Sequence, residues 1–266
     1  GRRKTFDYFE SRVMKVLAIT NQKGGVGKTT TAVNLAASLA AEGKRVLLID
    51  LDPQGNATTG AGITKKEALP TVYQLLIGAA TLTEVCIETE FGFDVLPANR
   101  ELAGAEVELI ELSEREYRLK NALQAGRATY DFILIDCPPA LNMLTVNGLV
   151  AADSVLIPMQ CEYYALEGLS DLVETLRKVR THLNSRLEIE GLLRTMYNAQ
   201  STLTQQVSSE LENHFGDKVY KTIVPRNVRL AEAPSYGKPV LAFDKNSKGA
   251  QAYSALAKEI LERVVQ

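Results

Sequence analysis

The chain has 266 residues, 45% of them hydrophobic, and a formal net charge of -2, so it can bury a sizeable core and is not uniformly coated with positive charge for nucleic acid. Its three cysteines, Cys86, Cys137 and Cys161, lie far apart with no C-x-x-C pair, which excludes an obvious disulfide framework or zinc site and suits a reducing cytoplasm. No apolar run approaches the roughly 20 residues of a membrane span, and no apolar signal-peptide core succeeds the charged start.

Residues 1–13 (GRRKTFDYFESRV) precede Met14 and share no pattern with the rest of the chain. They read as an extension or cloning remnant, or as a basic arm that touches a partner. From Met14 onward the chain alternates between two kinds of segment. Strand-like runs cover 16–20, 45–50, 93–96, 132–136, 154–159, 188–196 and 221–224. Helix-like stretches cover 29–42, 114–125, 143–151, 165–183, 202–215 and 249–265. Val46-Leu47-Leu48-Ile49 and Phe132-Ile133-Leu134-Ile135 are continuous apolar runs, as expected of strands covered on both faces in a parallel sheet. Leu166, Leu169, Leu172, Val173, Leu176 and Val179 recur every three or four residues, along one face of a helix. The expected fold is α/β: a doubly wound, mostly parallel sheet with helices on both faces, in one domain over 14–266.

Three segments fall at the C-terminal ends of expected strands, where open α/β sheets place ligands. The first is Lys23-Gly24-Gly25-Val26-Gly27-Lys28-Thr29-Thr30, a glycine-rich turn between a strand and a helix. Backbone N–H groups of such a turn, with the helix N-terminus, donate to phosphate oxygens. Lys28 can reach the terminal phosphates, and the Thr29 hydroxyl can hold Mg²⁺. The ordinary pattern G-x-x-x-x-G-K-[ST] is not met, because Gln22 takes its first glycine position and a second lysine, Lys23, comes next. The second segment is Asp50-Leu51-Asp52-Pro53-Gln54-Gly55-Asn56. Alternation puts Asp50 and Asp52 on one side if the strand runs that far. The third, Asp136-Cys137-Pro138-Pro139, succeeds four apolar residues in the Walker B manner, with a carboxylate that supports Mg²⁺ directly or through water. Alone, each aspartate is more often a turn former or cap than a metal partner, and the loop could be an ordinary tight connection. All three in order within residues 23–139 point to nucleotide binding.

Residues 23–30 resemble the deviant Walker A motif of the ParA/MinD group of P-loop ATPases. The segments 50–56 and 136–139, with Gln160-Cys161-Glu162-Tyr163-Tyr164-Ala165-Leu166-Glu167-Gly168 and the run 225–234, are similar to those of its ParA/Soj chromosome-partitioning branch. The resemblance runs from about residue 14 to the C-terminus and implies the P-loop NTPase fold, ATP and Mg²⁺ as cofactors, and slow ATP hydrolysis. It implies that Gly24, Gly25, Val26, Gly27, Lys28, Thr29 and Thr30 bind phosphates, and that Pro225 and Asn227 bind the adenine. It implies that Lys23 reaches phosphates held by a second subunit in a sandwich homodimer, a cation supplied in trans. Asp52 would then polarise the attacking water, and Thr29, Asp52 and Asp136 would support the metal. Its implied partners are non-specific double-stranded DNA and a ParB-type protein that stimulates hydrolysis, with a nucleoid-associated, cytoplasmic location and no membrane.

Between residues 215 and 250 seven lysines and arginines face three acids, a local charge of +4 on a chain of -2. A basic face on an acidic protein suits DNA binding, although uneven surface charge alone produces the same count. The resemblance assigns DNA contact to Arg229, and Arg226, Lys238 and Lys248 are further candidates. Relatives carry an arginine where this chain has Gln200, so that contact is missing from the pattern. Two other classes share the phosphate loop. A MinD-type membrane-surface ATPase needs a C-terminal membrane helix; residues 253–266 are amphipathic but lack its large aromatic and its basic cluster. An iron–sulfur reductase needs suitably placed cysteine thiolates, and neither Cys137 nor Cys161 has the expected spacing.

Overall fold

In the computed structural model the apolar runs form one eight-stranded sheet. The first half of the chain supplies β1 (Lys15–Ile19), α1 (Lys28–Ala41), β2 (Val46–Asp50), the short helices α2 (Asn56–Gly60), α3 (Val72–Leu76) and α4 (Leu82–Val85), then β3 (Ile87–Glu88) and β4 (Asp94–Leu96). Next come α5 (Ala105–Glu108), α6 (Arg118–Leu123), β5 (Phe132–Asp136), α7 (Met143–Ala151), β6 (Ser154–Gln160) and α8 (Ala165–His182). The last elements are β7 (Glu188–Tyr197), α9 (Thr202–Phe215), β8 (Val219–Pro225), α10 (Val228–Glu232), α11 (Val240–Phe243) and α12 (Lys248–Val265). The structure describes residues 15–25, 27–126 and 129–265. The N-terminal extension and Val26 of the phosphate loop lie outside them.

The strand order is β3-β4-β2-β5-β1-β6-β7-β8, and every neighbouring pair is parallel except β3 with β4. Every residue of β2 and β5 is buried, which is why both read as unbroken apolar runs. Alternation divides the core between the two faces. Val16, Leu47, Ile49, Ile133 and Ile135 pack on one side, together with the buried face of α8. Leu17, Ile19, Leu48 and Leu134 pack on the other, with α1 and α12. Each fully buried aliphatic contributes about 1.5–3 kcal/mol by leaving water. The apolar face of α12 (Tyr253, Leu256, Ala257, Ile260) belongs to that second core. From the same helix, Glu259 accepts from the amides of Lys221 (2.8 Å) and Thr222 (2.9 Å), which occupies donors of the edge strand β8.

Two expectations need correction. The helix over 114–125 is only α6, preceded by a 3₁₀ turn at Arg115–Tyr117, because Glu114 has a left-handed φ of 51°. Strand β2 stops at Asp50, so Asp50 and Asp52 do not share a strand face: the Asp52 amide turns back and donates to Asp50 Oδ1 at 3.0 Å.

Candidate nucleotide site

The central strands bring the three sequence segments to one edge. Ile19 lies opposite Asp136 in register, and Asp50 lies opposite Asp136 on the other side. Gly25 (φ 72°) and Gly27 (φ 79°) turn the loop through the left-handed region that glycine enters without strain, and α1 starts at Lys28. The positive end of that 14-residue helix therefore faces the loop. Lys28 is buried, and its Nζ donates to the Cys137 carbonyl at 3.1 Å. Thr29 Oγ1 donates to Asp136 Oδ2 at 2.9 Å.

The carboxylates differ in their surroundings. Asp50 is fully buried and accepts from the Thr58 amide (3.0 Å) and hydroxyl (2.7 Å) as well as from Asp52. Desolvation nevertheless raises its pKa to about 6. Asp136 is raised further, to about 7, by desolvation; Lys28 opposes the shift and Asp50 adds to it. Asp136 Oδ1 is buried without a hydrogen-bond partner. Such an orphan beside a threonine hydroxyl is what a cation would satisfy. Among the described residues no three His, Cys, Asp or Glu side chains form a metal cage. That suits Mg²⁺, which takes one or two protein oxygens and completes its shell with water and phosphate. Asp52 is nearly buried, and its Oδ1 accepts from the Gln54 amide at 3.0 Å. The turn needs Gly55 (φ 66°), since a Cβ there would sit 2.8 Å from the Ala98 carbonyl oxygen.

A cavity of about 400 Å³ opens behind the loop, lined by Gly27, Thr30, Thr195, Pro225, Asn227 and Tyr253 among others. Its size suits a nucleoside. Pro225 and Asn227, which the resemblance assigns to adenine, both line this cavity. The Asn227 side-chain oxygen is already engaged, however, accepting from the Leu230 amide (3.2 Å) to cap α10. Tyr253 and Thr31 share a hydroxyl–hydroxyl bond of 2.9 Å that ties α12 to α1.

Lys23 is not in this cluster. It is half exposed and forms an ion pair with Glu162 of the same chain. The basic candidates differ in their surroundings. Arg226 borders the cavity that Pro225 and Asn227 line. Lys248 is the first residue of α12. Arg229 is exposed but paired with Glu232 (3.1 Å) and Asp244 (3.3 Å). Lys238 instead borders a separate cavity of about 270 Å³ with Thr29, Asn34, Asn56 and Thr59. Gln200 is exposed in a turn in which its amide donates to Asn198 Oδ1 at 3.2 Å. Sequence reasoning missed Thr58, Glu162 and the Cys137 carbonyl, for which no local signal exists. Burial pushes the thiols of Cys137 and Cys161 up to about 12 and about 11, the wrong direction for thiolate ligands.

The family model described as an AAA domain matches residues 14–189. The chromosome partitioning protein ParA of Caulobacter vibrioides is 54% identical over 253 residues, covering 94% of this chain and 95% of that one. The chain belongs to the ParA/Soj family of P-loop ATPases. The sporulation initiation inhibitor protein Soj of Bacillus subtilis is 57% identical, covering 92% of this chain and 98% of its own. Among solved structures, cobyrinic acid a,c-diamide synthase from Mycobacterium smegmatis, with bound ATP analog and magnesium, superposes with a TM-score of 0.84 at 37% identity, covering 96% of this chain and 97% of that one. As a ParA/Soj family member the chain is an ATPase that works with ATP and Mg²⁺.

Proposed function

We propose that this family member is a DNA-partitioning ATPase whose ATP-bound form is a sandwich dimer. The dimer binds double-stranded DNA without sequence preference and is released when a ParB-type partner stimulates hydrolysis. The observation that carries the reading is the separation of the two loop lysines. Lys28 is buried and held by the Cys137 carbonyl, whereas Lys23 stands at the rim in a pair with Glu162. Lys28 can transfer from that carbonyl to phosphate within one subunit. Lys23, half exposed and turned to Glu162, serves the phosphates of a second subunit.

Thr29 and Asp136 would hold Mg²⁺, which neutralises charge between the terminal phosphates when bound. Asp52 accepts a hydrogen bond from the attacking water, which orients and polarises it. Pro225 and Asn227 would bracket the adenine. Because Lys23 completes the site only across a dimer, ATP favours dimerisation and a lone subunit turns over slowly. Pairing two basic faces strengthens phosphate contact through added charge and avidity. We read residues 14–266 as one domain acting in the cytoplasm on the nucleoid.

The relative named for chromosome partitioning, at 54% identity, supports this more strongly than the synthase at 37%. No described helix is long and apolar enough to cross a membrane, and the apolar face of α12 is already covered by the sheet. The test is the Asp52→Ala variant. It should bind ATP, dimerise and retain DNA while losing hydrolysis. If it hydrolyses ATP at the parent rate, Asp52 does not position the water.

A further inference from the structure

Residues 101–116 carry six carboxylates and one arginine, a local charge of -5. Their apolar residues split between two faces. Leu102, Ala105 and Leu109 are buried in the core, while Val107 is 71% and Ile110 is 55% exposed. The Glu106 carboxylate accepts from the amides of Met143 (3.1 Å) and Leu144 (2.9 Å), which clamps α5 to the start of α7. Leu141, 50% exposed, lies in the segment that links Asp136 to α7, two residues before the Met143 amide that Glu106 holds. An acidic stretch with two exposed aliphatics is thus tied to the end of the segment that carries a third, Leu141, and whose Cys137 carbonyl holds Lys28.

We propose that this acidic ridge docks a basic segment of a partner protein, whose aliphatic side chains cover Val107, Ile110 and Leu141. Charge decides the occupant. DNA and anionic lipid are repelled by the carboxylates. A second copy meeting the ridge about a two-fold axis would set -5 against -5, a like-charge contact that suppresses association. A cationic segment with aliphatic anchors satisfies both the aliphatics and the carboxylates. The proposal rests on the ATPase reading only in naming the loop beside which the partner sits.

The experiment uses the full chain and a panel of fluorescein-labelled 16-residue peptides, each with about five Lys or Arg and three Leu or Ile at varied spacing, read by anisotropy. Matched panels lack the aliphatics or carry Glu in place of the basic residues. The expected result is that basic–aliphatic peptides bind the parent in a salt-sensitive way and the matched panels do not. Binding should weaken roughly tenfold in Val107→Ser/Ile110→Ser and in Glu108→Lys/Glu111→Lys. Basal ATP turnover and melting temperature of Val107→Ser/Ile110→Ser should stay at the parent values. Absence of binding by every basic–aliphatic peptide overturns the proposal, as does equal binding by parent and both variants. Loss of the ATP-dependent dimer in Val107→Ser/Ile110→Ser, with peptide affinity unchanged, also overturns it and makes the ridge a contact between copies. If the parent binds the peptides but shows no ATP-dependent dimer, the dimer reading fails and the ridge stands.

Discussion

The ammonium of Lys23 is paired with the carboxylate of Glu162 within one chain. A lysine proposed to serve a second subunit is therefore occupied until that subunit arrives. The pair is partly exposed, so it is a weak latch rather than a lock. In Glu162→Gln, Lys23 is free from the start. ATP-dependent dimerisation, read as mass by light scattering across a dilution series, should tighten roughly two- to tenfold. A weaker dimer would mean that Glu162 itself makes a contact across the interface.

The desolvated carboxyl of Asp136 sets a pH dependence in the nucleotide-free chain. The folded pKa of Asp136 is raised from 3.8 to about 7. Between those values the folded chain keeps a proton that the unfolded chain has released, so stability falls as pH rises through that window. Asp50, raised to about 6, contributes with the same sign. Asp136→Asn removes the larger share. In urea titrations with EDTA at pH 5 and pH 7.5, the variant should lose less stability than the parent. At pH 7.5 it should be the more stable by about 1–3 kcal/mol, while Mg²⁺-dependent ATP binding falls. Equal slopes would contradict a desolvated Asp136.

Gly249 is the point where α12 meets Leu230 and Asn227 in the wall of the cavity of about 400 Å³. A Cβ there would lie 2.4 Å from Leu230 Cγ and 3.0 Å from Asn227 Oδ1. Gly249→Ala should push both aside, loosening the cap on α10 and the loop at Pro225. A cost of about 1–3 kcal/mol is ordinary for overpacking of this kind. Melting temperature should fall, and affinity for a fluorescent ATP analogue should weaken several-fold. Unchanged affinity would show that Asn227 does not shape the pocket.

Arg229 carries two acid partners, Glu232 and Asp244. If it contacts a DNA phosphate, Arg229→Ala should weaken retention of any duplex sequence alike and reduce the salt slope by about 1. Glu232→Gln/Asp244→Asn should act in the opposite direction by releasing the guanidinium. Electrophoretic retention of a random-sequence duplex, with ATP and across salt concentrations, reads both. A sequence-dependent loss would argue against phosphate contact.

The sheet and the three loops at its edge were legible because their signals are local. Runs such as Phe132–Asp136 declare a strand buried on both faces, and Gly27 before Lys28 declares a turn into a helix. The short helices of residues 56–108 span four or five residues each, too few for a helical period to show. Glu114 broke an expected helix through a backbone conformation that its residue type does not announce. The remaining misses are pairings across the fold. Thr58 binds Asp50 from eight residues away, and Lys28 binds a backbone carbonyl 109 residues on. Composition and spacing place such groups at strand ends, and only the register of β1, β2 and β5 brings them together.

The most direct test of the central claim is molecular mass against nucleotide, with DNA retention measured on the same samples. The parent should be a monomer without nucleotide and with ADP, and a dimer that retains DNA with ATP and Mg²⁺. Lys28→Ala should lose ATP binding, the dimer and retention together. Lys23→Ala should keep ATP binding but lose the dimer. A Lys23→Ala protein that dimerises and retains DNA like the parent would contradict the account, because the rim lysine would then have no role in the second subunit.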